Sequence, residues 1–197
     1  MQLHKSDVVD AATRLLDTYG IADLTMRRLA RELDVSPGAL YWHFPNKQAL
    51  LGTVADRILG PVDDVGGSWR ERVGGTCARL RDALLSHTDG AELVSASFAA
   101  GQSTAMTGIV AALVEAASDG GVAPGQAELA ARTVVYYVLG FTVDEQSRLQ
   151  WDAAGALPDA QSVLATDPSA RFAFGLGLLV CGIASCAEIA TSAGKFE

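Results

Sequence analysis

The segment LTMRRLARELDVSPGALYWHFPNKQALL, residues 24–51, carries the clearest structural pattern in this chain. It contains two short amphipathic runs, MRRLAREL and PGALYWHF, which are separated by a tight turn. Thr25 precedes the first run and Ser36 precedes the second, and both residue types cap helix starts. Pro37 fits the first helical position, because no hydrogen bond is lost there. Asp34 tolerates the left-handed backbone of a tight turn. The segment therefore predicts a helix-turn-helix unit.

A longer amphipathic helix is predicted on each side of this unit. Before it, Ser6 is expected to cap a helix that ends at Gly20. The apolar stripe of that helix is Val8, Val9, Ala12, Leu15, Leu16 and Tyr19. After the unit, Asn46 is expected to cap a helix over residues 47–59. We assign residues 1–60 to an N-terminal three-helix helix-turn-helix domain, and the 47–59 helix joins it to the rest of the chain.

Residues 61–197 are predicted to form a larger helical domain. They contain long apolar stretches in which strand-forming residues do not alternate with polar ones. The predicted helices cover residues 68–86, 91–97, 103–118, 125–149 and 169–193. The expected fold class is therefore all-α. A chain of 197 residues is long enough to bury a sizeable core without a metal or a disulfide.

The net charge of −8 is unevenly distributed along the chain. Residues 1–60 carry seven basic and seven acidic side chains, whereas residues 61–197 carry eight basic and sixteen acidic ones. Nucleic-acid-binding domains usually present a basic face. A neutral N-terminal domain on an acidic body lets only the N-terminal domain approach phosphates.

The cysteines and the apolar stretches bear on the compartment. Cys77, Cys181 and Cys186 form an odd and widely spaced set, which is consistent with a reducing cytoplasm. The first residues lack the continuous apolar core of a signal peptide. The apolar run over residues 172–187 is shorter than the roughly 20 residues that cross a bilayer. We therefore expect a cytoplasmic protein that has no membrane partner.

The combination SPGALYWHFPNKQALL, residues 36–51, resembles the DNA-binding head of the TetR (tetracycline repressor) family. Three further stretches are similar to the sensing body of the tetracycline repressor subgroup. They are ALLSHTDGAEL at 83–93, YYVLGFTVDEQ at 136–146 and FAFGLGLLVCGI at 172–183. The resemblance implies a transcriptional regulator, most commonly a repressor. Its implied partners are an operator in double-stranded DNA, a small-molecule effector and a second copy of the chain.

The resemblance also implies which residues contact DNA. A recognition helix reads base edges in the major groove, and flanking groups hold phosphates. Arg27 is expected to grip guanine with two hydrogen bonds, and the apolar Pro37 and Ala39 fit a thymine methyl. The full expected set is Thr25, Arg27, Ser36, Pro37, Gly38, Ala39, Tyr41, His43 and Lys47. The residues expected to lie mainly in the core are Leu40, Trp42 and Phe44.

In the tetracycline repressor subgroup, the body binds a magnesium-chelated drug and a histidine contacts the metal. The position of that histidine corresponds to Val94, which cannot ligate a metal. We therefore expect no magnesium–tetracycline site, no metal and no cofactor. The pocket positions instead suit a mostly apolar molecule with a few polar groups. They are Asp63, Thr76, Leu80, Val94, Ser97, Phe98, Met106, Val110 and Tyr136. Each of these residues fits the core of the body as well as it fits a pocket wall.

Dimerisation is expected because one short recognition helix contacts too few base pairs to be selective. Two-fold symmetry places two such helices on half-sites about 34–36 Å apart, which is one turn of DNA. The predicted helices at 125–149 and 169–193 are expected to form a four-helix interface. The glycines expected to permit close approach there are Gly140, Gly175, Gly177 and Gly182.

Three alternatives stay open from the sequence. An enzyme is disfavoured because no carboxylate pair, Ser-His-acid set or phosphate-binding glycine loop occurs at usable spacing. A helical ligand-binding protein that has lost DNA binding is disfavoured because Arg27, Tyr41 and Lys47 are present. Repressor and activator are not separable from the residues.

Overall fold

The computed structural model describes residues 3–60, 62, 65–158, 162 and 167–193, with side chains described as far as residue 186. These residues form helices and no strand, so the predicted all-α class is confirmed. The described helices are α1 (Lys5–Tyr19), α2 (Met26–Glu32), α3 (Pro37–His43), α4 (Lys47–Leu59), α5 (Trp69–Leu85), α6 (Gly90–Ala99), α7 (Thr104–Asp119), α8 (Pro124–Ala153) and α9 (Pro168–Ala193).

The start of α1 differs from the prediction. The helix begins at Lys5, one residue before Ser6, which was the expected cap. The Asp7 carboxylate accepts a hydrogen bond from the His4 N–H at 2.8 Å. An acidic residue in the first turn satisfies a free N–H at the helix start in this way, so a serine cap is not needed. Gly20 ends the helix as predicted, with φ of +77°.

The chain packs into two compact units, which are described separately. The first unit comprises Met1–Pro61 and Asp82–Met106. The second unit comprises Val62–Arg81 and Thr107–Glu197. The segment Asp82–Met106 therefore packs with the helix-turn-helix motif, although it is distant from it in sequence. The functional boundary after residue 60 stays a prediction.

The first unit has a continuous aliphatic core. Its fully buried side chains include Leu16, Leu24, Leu29, Leu40, Phe44, Leu50 and Ile58. Each such side chain contributes about 1.5–3 kcal/mol through the burial of apolar surface. Gly52 on α4 lets the chain approach closely, because a Cβ there would lie 2.2 Å from the Gln102 carbonyl oxygen.

The second unit combines an apolar core with one buried ion pair. Its core includes Val73, Cys77, Leu80, Leu113, Val134 and Val138. Arg81 on α5 donates to Glu145 on α8 through Nε at 2.8 Å and through Nη2 at 2.5 Å. The Arg81 guanidinium also lies 5.2 Å from the centroid of the Phe172 ring on α9. These contacts connect α5, α8 and α9 within the unit.

Gly175 on α9 permits a close contact within the chain, while its expected place at an interface between two copies stays a prediction. A Cβ at this position would lie 2.3 Å from Oη of Tyr137, and that hydroxyl donates a hydrogen bond to the Phe172 carbonyl oxygen at 2.8 Å. Gly175 therefore permits α8 and α9 of the same chain to pack together. A Cβ at Gly140, Gly177 or Gly182 would meet nothing within 4 Å among the described residues.

Candidate DNA-binding surface and ligand site

The helix-turn-helix geometry rests on three side-chain caps and one left-handed residue. Thr25 Oγ1 and Ser36 Oγ each accept a hydrogen bond from the backbone N–H three residues later, at 3.2 Å and 3.3 Å. Asn46 Oδ1 does the same at 2.8 Å. Asp34 adopts φ of +52° in the turn. These four predictions are confirmed, and together they fix where α2, α3 and α4 begin.

Most residues assigned to DNA contact lie at the surface of the motif. The exposed ones are Thr25, Arg27, Ser36, Pro37, Gly38 and Tyr41. The half-buried ones are Ala39, His43 and Lys47. A Cβ at Gly38 would come no closer than 3.7 Å to its nearest neighbour, Ser36 Oγ. The fold itself therefore does not require glycine at this position.

The two neighbouring arginines of α2 differ in their surroundings. Arg28 donates to Asp23 Oδ1 at 2.5 Å, and its guanidinium lies 3.7 Å from the centroid of the Tyr19 ring. Arg27 is exposed and has no ion-pair partner in the described part of the chain. Arg28 is thus held within the protein, whereas the five donors of Arg27 are available to an external acceptor.

Trp42 is the functional candidate that sequence reasoning missed. It was expected in the core with Leu40 and Phe44, but it is 92% exposed, and this expectation is wrong. Leu40 and Phe44 are four residues apart and share one helix face, and both are buried. Trp42 lies two residues from each and faces the other way. The sequence prediction placed residues 40, 42 and 44 on one face, but alternate residues share a face in a strand and not in a helix. With the helical repeat of 3.6 residues, Trp42 falls on the surface.

The residues predicted to bind a ligand divide between the two units. In the first unit, Val94 and Met106 are fully buried and Phe98 is half-buried. In the second unit, Thr76, Leu80 and Val110 are buried. Asp63 lies outside the described residues.

Ser97 on α6 stands out among the buried polar residues of the first unit. Its side chain is only 4% exposed, and its Oγ has no hydrogen-bond partner among the described residues. A buried polar atom without a partner costs about 1–3 kcal/mol. The Ser97 hydroxyl is therefore an unsatisfied buried polar group of the first unit.

Tyr136 lies on an exposed apolar face rather than in the interior. It is 58% exposed on α8 and shares the helix face of Leu129, which lies two turns earlier and is also exposed. Phe174 and Leu178 on α9 are exposed as well. A groove of about 370 Å³ lies between α8 and α9 of the second unit. The residues that line it include Val122, Leu129, Thr133, Leu178, Gly182 and Cys186.

Among the residues with described positions, we find no group of three or more His, Cys, Asp or Glu side chains that could hold a metal. In the same part of the chain, Pro168–Cys186 of α9 is long and apolar enough to cross a membrane, with a mean hydropathy of 1.6. Such composition is also found in helices that are covered by protein rather than by lipid.

Comparison with known proteins agrees with this geometry. The profile of bacterial regulatory proteins of the tetR family matches residues 8–54, and that of the tetracyclin repressor-like C-terminal domain matches residues 61–165. The chain is 32% identical to the tetracycline repressor protein class G of Vibrio anguillarum, over 92% of this chain and 93% of that one.

Two solved structures are more similar. The crystal structure of Mycobacterium smegmatis BioQ is 64% identical, with a TM-score of 0.88, over 94% of this chain and 99% of that one. A crystal structure of BioQ with its natural double-stranded DNA operator is 60% identical, with a TM-score of 0.81, over 93% of this chain and 99% of that one.

Proposed function

The chain belongs to the TetR family of bacterial regulatory proteins, and from this premise we propose that it is a homodimeric repressor of transcription in the cytoplasm. The protein is a DNA-binding transcriptional regulator and, like its relatives, not an enzyme. In this proposal two copies bind a palindromic operator, and a mostly apolar small molecule releases them. The observation that carries the proposal is the exposed face of α2 and α3, where Arg27 and Tyr41 are available to DNA.

We assign the DNA contacts by the chemistry of each side chain. Arg27 reads guanine through a bidentate pair, which an arginine fork matches in the major groove. Pro37 and Ala39 offer apolar surface to a thymine methyl. The phosphate contacts come from the hydroxyl, imidazole and ammonium groups of Tyr41, His43 and Lys47. Thr25, Ser36 and Gly38 complete the set, because the backbone N–H groups at helix starts favour phosphate.

We add Trp42 to this set. An indole that is 92% exposed on the third helix has no packing role in the first unit. Trp42 follows Tyr41, so both aromatic rings stand on the outer side of α3. An indole offers a large apolar face and one N–H donor, which suits contact with sugar carbons and a phosphate oxygen.

We propose that the effector binds against α6. The Ser97 hydroxyl supplies one hydrogen bond to the effector, and Val94, Phe98 and Met106 supply apolar contact. Val94 stands at the position that corresponds to the metal-contacting histidine of the tetracycline repressors, so the effector is bound without a metal. The remaining predicted residues of this set stay predictions.

We propose that a second copy of the chain covers the exposed apolar face of α8 and α9. Contiguous exposed apolar side chains mark interaction sites. Gly140, Gly177 and Gly182 have open space around them, which permits close helix approach. Tyr136 is exposed on this face. We therefore favour a role for Tyr136 in the dimer interface over a role in the ligand site.

An activator, or a helical ligand-binding protein that is not a ligand-released repressor, is the alternative. The repressor name of the Vibrio anguillarum relative favours repression. DNA binding itself is tested by fluorescence anisotropy on duplexes from upstream of the gene that encodes this protein, compared with a random duplex over a range of salt. Arg27→Ala should cost about 1–3 kcal/mol and relax selectivity at one base pair, while Lys47→Ala should lower the salt slope by about 1.

The matched control is Arg14→Ala, which removes the same charge from an exposed position on α1. It should change operator affinity less than Arg27→Ala does. Equal losses in the two variants would contradict the assignment of Arg27. A wild-type protein that prefers no duplex over random sequence would contradict the proposed function as a whole.

Dimerisation and release are tested separately. Light scattering at micromolar concentration should give a dimer, and Leu178→Asp should shift it towards a monomer, because a charge on the proposed interface is left unpaired. Operator affinity measured with and without a candidate effector tests release. Because linkage is reciprocal, an effector that weakens DNA binding must itself bind the operator complex more weakly by the same factor.

A further inference from the structure

Two exposed aromatic residues, Tyr136 on α8 and Phe174 on α9, form a ridge on the apolar face of the second unit. Phe174 is 71% exposed, although it stands on an apolar helix. The two residues lie at one level of the helix pair, because Tyr137, which follows Tyr136, donates its hydroxyl to the carbonyl oxygen of Phe172 at 2.8 Å. We call Tyr136 and Phe174 the aromatic ridge.

The groove between α8 and α9 lies two helical turns away from the aromatic ridge. Its lining includes Leu129 on α8 and Gly182 on α9. Leu129 stands seven residues before Tyr136, and Gly182 stands eight residues after Phe174. At 1.5 Å for each residue, both spacings are about 10–12 Å. A Cβ at Gly182 would meet nothing within 4 Å among the described residues, so the groove is open at this glycine.

A ridge and a groove on one face are complementary to a second copy of the same face. A two-fold axis pairs each residue before the axis with the residue equally far beyond it on the partner subunit. The midpoint between Phe174 and Gly182 is Leu178, and the midpoint between Leu129 and Tyr136 lies next to Thr133. Leu178 and Thr133 both line the groove. One axis beside Leu178 therefore serves both helices.

The charges of the second unit also favour a second copy at this face. Residues 61–197 carry eight basic and sixteen acidic side chains, so two copies repel each other through most of their surface. Residues 172–186 contain no charged side chain. On α8, Arg132 Nε lies 2.9 Å from Glu128 Oε1 of the same helix. A second copy can thus approach here without burying an unpaired charge.

We propose that the aromatic ridge of each copy inserts into the groove of the partner subunit, with the two-fold axis beside Leu178. This inference rests on the dimer of the proposed function and names the residues that hold it together. Phe174 is the anchor of the interface, because buried aromatic side chains carry much of the binding energy between proteins. Gly182 provides the opening that receives the ring.

The dimer dissociation constant of the full-length protein, measured by sedimentation over a dilution series, tests this arrangement. Phe174→Ala and Gly182→Leu should each raise it at least tenfold. Neither change disturbs packing within one chain, since Phe174 is exposed and Gly182 has open space beside it. Circular dichroism should show both variants folded. Values within twofold of the wild type in both variants would overturn the proposal.

Gly108→Leu is the matched control for Gly182→Leu. Gly108 lies on α7, is exposed and also has no atom within 4 Å of its Cβ position among the described residues. The added leucine should leave the dissociation constant unchanged. An increase equal to that of Gly182→Leu would mean that the groove has no special part in dimerisation, and the proposal would then be wrong.

A double variant tests which residues meet across the interface. In Phe174→Ala with Gly182→Leu, the leucine of one copy occupies space that the ring of the other copy has left. This variant should therefore form a tighter dimer than Gly182→Leu alone, because residues in contact show non-additive effects. A dimer as weak as the sum of the two single losses predicts would contradict the pairing.

The position of the axis is tested by cross-linking in a Cys181→Ser and Cys186→Ser background. Leu178→Cys should form a disulfide-linked dimer under mild oxidation, since two copies of residue 178 meet at the axis. Gly125→Cys should not, because its two copies would lie about 20 Å apart along the helices, much further than a disulfide spans. The reverse pattern would overturn the proposed axis.

Failure of this inference is distinguishable from failure of the proposed dimer. A dimeric wild type whose Phe174→Ala and Gly182→Leu variants dimerise equally well contradicts only the ridge-and-groove arrangement. A monomeric wild type contradicts the dimer itself, and binding of that monomer to phosphatidylcholine vesicles would assign the apolar face to lipid instead. Neither result bears on operator binding by Arg27 and Tyr41, which is measured separately.

Discussion

The buried pair of Arg81 and Glu145 is the contact whose loss should cost the second unit most. The two side chains are only 11% and 7% exposed, and the two hydrogen bonds between them are 2.8 Å and 2.5 Å long. Glu145→Ala leaves the Arg81 guanidinium charged and buried without its carboxylate. Removing one partner of such a pair costs about 3–5 kcal/mol.

This free energy corresponds to a large change in thermal stability. For a chain of 150–250 residues, 1 kcal/mol lowers Tm by roughly 2–4 °C. Glu145→Ala should therefore lower Tm by roughly 6–20 °C. The measurement is thermal or urea unfolding followed by circular dichroism. All variants are compared at one protein concentration, because the Tm of an oligomer depends on it.

Two further variants isolate the effect of the unpaired charge. Glu128→Ala breaks an exposed pair on the same helix, in which Arg132 Nε lies 2.9 Å from Glu128 Oε1, and it should cost little stability because water screens the pair. The double variant Arg81→Met with Glu145→Leu removes both charges and should unfold close to the wild type. If Glu145→Ala lost no more stability than Glu128→Ala, or if the double variant were the least stable of the three, the reasoning would be refuted.

Other features of the first unit and the cysteines give predictions of their own. Burial alone would raise the pKa of the Asp56 carboxyl. Hydrogen bonds from the start of α7 outweigh this effect, so the pKa of Asp56 lies below its ordinary value. A lowered pKa stabilises the fold above the unfolded-state value. Asp56→Asn should therefore be less stable than the wild type at pH 7, and urea unfolding should show this difference shrinking as the pH falls below about 4. Gly38→Ala should leave the urea midpoint unchanged or raise it, whereas Gly52→Ala should cost about 1–3 kcal/mol or more, because its Cβ would meet a carbonyl oxygen at 2.2 Å. Burial raises the pKa of Cys77 to about 12, so a thiol reagent at pH 8 should modify it only after unfolding. Cys186 lines the apolar groove and should react more slowly at concentrations where the dimer forms.

Local chemistry explains what the sequence predicts well. Thr25, Ser36 and Asn46 each accept a hydrogen bond from an N–H only three residues away, so the residue type and its neighbours suffice to place a helix start. The turn conformation of Asp34 is equally local. Periodicity likewise predicts the long helices, although α8 continues to Ala153, beyond its expected end.

Sequence reasoning missed features that depend on contacts between residues distant in sequence. It also misplaced Trp42, because the helical repeat was not applied strictly. Nothing near Gly175 in the sequence indicates that Tyr137 of the same chain occupies the space beside it. The carboxylates of Asp17 and Asp56 meet residues about 70 and 50 positions later, and no local pattern encodes such pairs. Trp42 could have been found, because strict use of the helical period separates it from Leu40 and Phe44.

For the effector that we propose at α6, the free energy of one hydrogen bond limits how much a single contact can contribute to release. Every tenfold change in operator affinity requires about 1.4 kcal/mol of differential effector binding between the two conformations. One hydrogen bond to the Ser97 hydroxyl contributes about 0.5–1.5 kcal/mol, which accounts for at most roughly a tenfold effect. A larger effect requires apolar contacts at Val94 or Met106 that also differ between the conformations, at about 25 cal/mol for each Å² of apolar surface. An effector that only fills space equally in both conformations would bind without releasing DNA. Selection of an effector therefore depends on the shape of its apolar part as much as on its polar group.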